Sequence, residues 1–306
     1  MGFEDQFVQE LLSLLPQERI RQKESMKEHT SLHIGGPADY FAMPSDITEI
    51  KSVIDLCRRE NVPYYIIGNG SNLLVSDLGY RGMIIKLSEN YSRIWFHGDG
   101  KLTAQAGISL SKLAVDVANL SLTGLEFASG IPGTLGGAVT MNAGAYDGEM
   151  KQCLLRARVL DRSGNVLELS NGALMLGYRS SIIQKEGYIV LEADIGLTEG
   201  DRQKIFGRMR ELNQQRAEKQ PLDMYSAGST FKRPEGHFAG KLINESGLKG
   251  YQSGDAAVSE KHCGFIINKG NATAKDFLAV VNHVIEIIKS RYGITLEPEI
   301  KILGEF

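Results

Sequence analysis

Ser129-Gly-Ile-Pro-Gly-Thr-Leu-Gly-Gly-Ala-Val-Thr-Met-Asn-Ala-Gly-Ala-Tyr-Asp-Gly148 decides how this chain reads. Six glycines fall within the 19 residues from Gly130 to Gly148, and the one charged side chain among them is Asp147. Glycine loses more conformational freedom on folding than any other residue, so this density implies positive φ angles or main chain in close contact with something. The intervening Thr134, Ala138, Thr140, Ala143 and Ala145 are small and offer little bulk for a core. A tightly packed turn region is the plain structural explanation and would suffice for one glycine pair. Six glycines in a nearly neutral run favour a groove in which bare main chain lies along a flat ligand.

Outward from that stretch, 306 residues exceed one ordinary domain and suggest two or three. A hydrophobic share of 42% is ordinary for globular chains and permits a sizeable core. The net charge of −3 argues against nucleic acid or an anionic membrane surface as the main partner. Cys57, Cys153 and Cys263 are odd in number, far apart and without CxxC or zinc spacing, which points to a reducing cytosol. Met1–Gln6 carries neither a basic nor an apolar leader region, and no apolar run approaches the roughly 20 residues that cross a bilayer. The expectation is a soluble, cytoplasmic protein, monomeric or weakly oligomeric, with no membrane insertion.

Phe3, Val8, Leu11, Leu12, Leu14 and Leu15 recur at helical spacing and predict a short helix that stops before Pro16. A polar segment to Glu28 follows, then a short strand ending in the Gly35-Gly36-Pro37 turn. Asp46 and Glu49 have capping-box spacing for a helix over 47–60, and Tyr64–Ile67 reads as a buried strand. Strands are expected at 83–87, 92–96, 102–106, 156–161, 166–169 and 188–197, with a helix over 110–120 and an irregular segment over 174–181. Asp201–Gln220 reads as a charged helix that opens a new domain, followed by a helix over 239–246 and strands near 257 and 264–268. A helix from Ala274 to Tyr292, capped by Thr273 and Gly293, precedes a final strand over 294–303.

Gly68-Asn-Gly-Ser-Asn-Leu-Leu-Val75 opens like a dinucleotide fingerprint, but its third glycine position is Leu73 and no helix follows, so Rossmann and P-loop readings fail. Successive main-chain N–H groups in this turn would form a concave nest for a pyrophosphate, with Ser71 and Asn72 as further donors. A hairpin turn explains the Asn-Gly pair equally well. Alternation in the final strand leaves Glu297 and Glu299 together on a solvated face, with no ground for choosing between them. Ser229 sits in a turn with no nucleophile elbow or histidine base, which disfavours a serine hydrolase. Arg179, between Tyr178 and Ser180, is as consistent with a surface arginine as with a functional one. Arg216, Lys219, Lys232, Arg233 and Lys249 fall within 34 residues and as a group would suit a diphosphate, although solvated helix faces explain the first two. The histidines show no metal spacing, so no metal is assigned.

Five segments together resemble the UDP-N-acetylenolpyruvoylglucosamine reductase family. These are Gly68–Val75, Gly130–Tyr146, Gly177-Tyr-Arg-Ser-Ser181, Ala227-Gly-Ser-Thr-Phe-Lys-Arg-Pro234 and Leu296-Glu-Pro-Glu-Ile-Lys301, in the family's order. The resemblance implies an α+β chain: a two-subdomain FAD-binding fold of the vanillyl-alcohol-oxidase/PCMH type, not Rossmann, plus a C-terminal α+β substrate-binding domain. The corresponding boundaries are 1–89, 90–200 and 201–306, the last residues packing back on the first subdomain. It further implies non-covalent FAD, NADPH as reductant and a UDP-sugar substrate whose enolpyruvyl ether is reduced to UDP-N-acetylmuramate for peptidoglycan.

Carried over by position, Gly68, Asn69, Gly70, Ser71, Asn72 and Leu73 would hold the FAD pyrophosphate. Ser129, Ile131, Pro132, Gly133, Gly136, Gly137, Asn142 and Gly144 would line the flavin. Ser229 corresponds to the proton donor, and Glu299 and Arg179 to groups that stabilise an enolate. Tyr178, Arg216, Lys219, Lys232, Arg233, Lys249 and His262 would contact substrate; the long branch of the family has asparagine at the position of Arg233 and glutamine at that of His262. The 50-residue interval from Arg179 to Ser229 resembles the short branch, which lacks a tyrosine-bearing loop over the substrate. Two other readings stand beside this one: a flavin oxidase acting on a hydroxy acid or alcohol, and a nucleotide-sugar binding module without flavin.

Overall fold

A computed structural model describes residues 3–306, with side chains from Gln6 onward. The leader reading of Met1–Gln6 and the Phe3 side chain fall largely outside the described residues. Among these residues the helices are α1 (Phe3–Leu14), α2 (Ile47–Arg59), α3 (Leu110–Asn119), α4 (Leu135–Met141), α5 (Ile182–Glu186), α6 (Arg202–Lys219), α7 (Ala239–Glu245) and α8 (Ala274–Tyr292). A four-stranded sheet runs in the order Ile20–Ser25, Pro37–Ala42, Tyr80–Lys86, Tyr64–Ile67.

Two compact units divide the chain, and both are discontinuous in sequence. The first takes Met1–Gln22, Tyr40–Asn69 and Gly82–Gln215; the second takes Lys23–Asp39, Gly70–Arg81 and Arg216–Phe306. At the centre of the first lies a five-stranded antiparallel sheet in the order Val166–Ser170, Leu154–Leu160, Ile189–Gly196, Lys101–Gln105, Ile94–Gly98. Its register aligns Ala157, Ala193 and Ala104 across three strands, and all three are buried. These small side chains leave room for α4, which packs on Ile189–Gly196; Gly136 of α4 lies so near Ala106 that a Cβ would stand 2.8 Å from the alanine methyl.

In the second unit Tyr225–Ser226, Ile266–Asn268, Ala256–Val258 and Gln252–Ser253 form an antiparallel sheet against which α8 packs. The first three N–H groups of α8 each have a side-chain acceptor. Asp77 takes those of Ala274 and Lys275 at 2.8 and 3.2 Å, while Thr273 Oγ1 takes that of Asp276 at 3.0 Å, and the Asp276 carboxylate accepts the reciprocal capping-box bond. At the other end Gly293 adopts φ +70°, a left-handed cap that favours glycine. Lys301–Leu303 pairs in parallel with Leu73–Val75.

Several expectations change. The polar stretch before Glu28 contains the strand Ile20–Ser25, whose charged, exposed pattern suits the sheet edge it occupies. The short strand expected before Gly35 is instead a 3-10 turn at Met26–His29 and a loop closed by Thr30 Oγ1 on Ile34. Asp46 caps α2, but the Glu49 carboxylate completes no box: it accepts from Arg19 Nη1 and Nη2 at 2.6 and 2.7 Å. Tyr64–Ile67 is half-buried apart from Ile67. The final strand shrinks to Lys301–Leu303, because residues 294–300 meet other partners and Pro298 cannot donate to a ladder.

Candidate active site

The glycine stretch holds more regular structure than its composition suggests, since Leu135–Met141 is helical. Leu135 and Val139 supply the buried face, and the N–H groups of Leu135 and Gly136 bond to the carbonyls of Ile108 and Ala106. The helix ends at Asn142, whose φ of +43° is left-handed. Asn142 is buried and its amide is fully employed: Nδ2 donates to Glu149 Oε2 and to the Gly177 carbonyl, and Oδ1 accepts from Lys151 N. Gly144 abuts Gly148 and Glu149 so closely that no side chain fits.

Tyr178 and Arg179 form the tip of a tight turn closed by paired bonds between Gly177 and Ser180. Arg179 sits at φ +49°, its carbonyl accepts from Gln184 Nε2, and Ser181 Oγ and Gln184 Nε2 both bond to the Thr140 carbonyl of α4. Together with Asn142 these contacts staple the turn to the end of α4. The guanidinium then reaches back to the Gly144 carbonyl at 3.3 Å and lies against the Tyr178 ring, 5.2 Å from its centroid. Arg179 and the glycine stretch, distant in sequence, therefore belong to one constellation in the first unit.

The turn after Tyr64–Ile67 is not a hairpin, because that strand pairs with Tyr80–Lys86 and Leu73–Val75 pairs with Lys301–Leu303. On the first unit's side, Gly68 faces Thr134, whose hydroxyl would collide with any Cβ, and Asn69 Nδ2 donates to the Pro132 carbonyl at 2.9 Å. In the second unit, Gly70 at φ +61° faces the His29 carbonyl, again without room for a Cβ. Ser71 is half-buried, Leu73 is buried, and Asn72 Nδ2 donates at 3.2 Å to the Glu299 carbonyl.

Ser229 and Glu299 lie on adjoining segments of that second unit. Phe231 bridges Pro298, the Glu299 N–H donates to the Thr230 carbonyl at 2.8 Å, and the Lys232 N–H donates to the Glu297 carbonyl at 2.9 Å. The two glutamates differ in surroundings. Glu297 is largely exposed and pairs with Lys232 Nζ at 2.9 Å, whereas Glu299 is half-buried. Thr230 is buried: its N–H donates to the Gly264 carbonyl at 2.8 Å, and its Oγ1 accepts from Ile266 N at 3.1 Å. His262 Nδ1 accepts from Gly264 N at 3.1 Å, and burial holds its pKa below the usual histidine value.

The cations around this segment are distributed. Arg216 and Lys219 end α6, Arg233 stacks over Phe238 at 4.7 Å, and exposed Lys249 stands near buried Cys263. All three cysteines are buried free thiols; burial pushes Cys57 and Cys153 up to about 12. Among the described residues no group of three or more His, Cys, Asp or Glu is placed to hold a metal, and no helix is long and apolar enough to cross a membrane.

The glycines themselves test whether a flat cofactor suits this surface. Gly136 and Gly144 are explained by protein atoms, but Gly137 is not. It is exposed within a helix, and the nearest atom to a Cβ there would be Thr134 Oγ1 at an ordinary 3.8 Å. Glycine in a helix interior costs roughly 0.5–1 kcal/mol relative to alanine. Its retention where the protein leaves space fits a group laid from outside against bare backbone.

Fold and surface thus define an FAD-binding protein of the non-Rossmann type. Residues 38–170 match the FAD binding domain family, and p-cresol methylhydroxylase shares the fold at a TM-score of 0.50 and 13% identity, over 97% of this chain and 66% of that one. Residues 220–303 match the C-terminal domain of UDP-N-acetylenolpyruvoylglucosamine reductase. The enzymes of that name from Lachnoclostridium phytofermentans and Clostridioides difficile are 52% and 50% identical, covering 97% and 96% of this chain and 97% of each relative. The crystal structure of the Thermus caldophilus enzyme superposes at a TM-score of 0.80 with 36% identity, over 93% of this chain and all of that one. The chain belongs to the UDP-N-acetylenolpyruvoylglucosamine reductase family, FAD-dependent oxidoreductases of peptidoglycan precursor synthesis that use NADPH.

Proposed function

We propose that this chain reduces the enolpyruvyl ether of a UDP-N-acetylglucosamine enolpyruvate to UDP-N-acetylmuramate through Ser229, Glu299 and Arg179. The observation that carries this reading is the clasp between the Ser229 turn and the Glu297–Glu299 segment, with the Glu299 N–H on the Thr230 carbonyl. FAD, held along the Gly68–Leu73 turn and the Ser129–Gly144 stretch and reduced by NADPH, would supply hydride to the β-carbon of the ether. The added electron pair displaces the π electrons toward the α-carbon and its carboxylate. Ser229 Oγ gives its proton to the α-carbon, closing the balance of one hydride and one proton, and regains a proton from water. A hydroxyl is a weak acid, but an enolate is basic enough to take its proton when the two are held together. Arg179, whose guanidinium is already oriented by Gly144 and Tyr178, offsets the developing negative charge, and Glu299 hydrogen-bonds the substrate acid.

Gly68–Leu73 would cradle the pyrophosphate, and the Ser129–Gly144 stretch, with Gly137 open, would lie along the flavin. Asn142 would serve it indirectly, because its amide is consumed within the protein. For the UDP moiety the reading uses Tyr178, Arg216, Lys219, Arg233, Lys249 and His262, with Lys232 held by Glu297 at its edge. His262 accepts at Nδ1, so its neutral form carries the proton on Nε2 and offers a donor. We assign 1–89 and 90–200 to FAD and 201–306 to substrate. A cytoplasmic, monomeric or weakly associating enzyme without a nucleic-acid partner accords with the net charge of −3 and the buried thiols.

Stopped-flow absorbance separates the two half-reactions. Ser229→Ala is expected to leave flavin reduction by NADPH within about twofold and to slow reoxidation by the enolpyruvyl sugar by roughly 10²-fold or more. Equal loss of both half-reactions would contradict the proton-donor role.

A further inference from the structure

Thr230 occupies a position that the proposed chemistry does not itself use. The residue is 2% exposed, and three of its groups are engaged: N–H to the Gly264 carbonyl, Oγ1 from the Ile266 N–H, and carbonyl from the Glu299 N–H. Two of these bonds tie the residue to the segment leading into the Ile266–Asn268 strand, which is held from both sides by Tyr225–Ser226 and Ala256–Val258. The third ties it to Glu299. Asn72 Nδ2 donates to the carbonyl of that same glutamate, so the backbone of Glu299 is gripped at both ends.

Ser229 precedes Thr230 directly and follows Gly228, which adopts φ +76° and has no atom beyond its chain neighbours within 4 Å of where a Cβ would stand, so the nearest anchored residue on that side is the buried Ala227, one position further back. On the other side of the exposed Ser229, its immediate neighbour Thr230 is held by three hydrogen bonds. From this geometry we infer that Thr230 is a positioning residue that fixes the spacing of Ser229 and Glu299, with its hydroxyl as the peg on the Ile266 N–H. Rate depends steeply on such spacing, because a displacement near 1 Å can cost roughly 100-fold in an oriented transfer. A threonine hydroxyl in this place is an acceptor that valine matches in shape but cannot replace. The inference rests on the roles proposed for Ser229 and Glu299.

The test compares FAD-loaded wild type, Thr230→Val, Thr230→Ser and Thr230→Cys with Ser229→Ala as reference. Flavin reduction by NADPH, flavin reoxidation at saturating enolpyruvyl sugar, and substrate affinity for the oxidised enzyme are each measured, along with deuterium uptake of the 297–301 peptide. Thr230→Val is expected to slow reoxidation roughly 10- to 100-fold, with reduction and affinity within about threefold and faster uptake at 297–301. Thr230→Ser, which restores the oxygen acceptor, is expected to recover reoxidation to within about threefold, and Thr230→Cys to fall between. If the valine variant does not fold, the serine and cysteine variants carry the same ordering.

Reoxidation unchanged in Thr230→Val, or both half-reactions falling together with flavin content, would overturn the positioning role while leaving Ser229 as donor. Reoxidation unaffected in Ser229→Ala would instead remove the donor, and the positioning role with it.

Discussion

His262 shows how one half-buried contact acquires a pH dependence. Burial disfavours its charged form, so its folded pKa lies below the unfolded value near 6.5. Between those two values the unfolded chain binds more protons than the folded one, and stability therefore falls as pH drops below about 6.5. Protonation also removes the Nδ1 acceptor from Gly264, whose carbonyl anchors Thr230. His262→Gln is expected to flatten this acid-side slope, read as melting temperature against pH; an unchanged slope would assign it to other groups. Asn268 makes a simpler case. It is fully buried, donates to the Leu32 carbonyl and accepts from Gly270 and Ala272, so Asn268→Leu strands three backbone groups. A loss of about 3 kcal/mol in urea denaturation is expected. Neither role is legible in the sequence, because a lone Asn or His carries no mark of what it will face.

At the level of elements, legibility follows how local the signal is. The boundaries and both caps of α8 are readable, since Thr273, Asp276 and Gly293 act within a few residues of the helix they delimit. The further cap from Asp77 is not, as it arrives from almost 200 positions away. Asp77→Ala is expected to cost about 1 kcal/mol, measured by thermal or urea unfolding, with Asp77→Asn intermediate. Helix α4 is hidden in the sequence because glycine lowers helix propensity and Ala106 and Ile108, outside the segment, complete its first bonds. Gly137→Ala gives the element a test with two signs. The apoprotein is expected to gain roughly 0.5–1 kcal/mol from helix propensity, while FAD affinity falls, as read by equilibrium dialysis or flavin fluorescence. Weaker folding together with unchanged FAD affinity would remove the cofactor explanation for this glycine.

Across the whole molecule, the folded state and the cofactor are linked by mass action. A ligand that binds only the native form at 100 times its dissociation constant adds about 2.7 kcal/mol of apparent stability. Stripping FAD is therefore expected to lower the melting temperature, and titrating it back to restore the value with saturation. Gly68→Val, which drives a side chain into Thr134, is expected to blunt that restoration. A melting temperature indifferent to FAD in the wild-type chain would contradict the proposed cradle. The same scale explains why the final strand reads longer in sequence than it is. Alternation groups Ile302 with buried Leu296 and Ile300, yet Ile302 is half exposed, because the chain leaves the Ser229 segment after Glu299 and joins Leu73–Val75 only from Lys301.

What the sequence determined by itself was chemistry that acts within a few residues: glycine density, helix caps, turn residues, and the ordered motifs that place the chain in its family. Tertiary packing alone leaves Glu299 half-buried while Glu297 stays exposed, makes Gly68–Val75 no hairpin, and folds Arg179 back onto the glycine stretch. The physical reason is range. Propensity and capping are written in neighbouring residues, whereas the bond from Asn72 to Glu299 spans 227 positions and exists only once packing has brought both ends together.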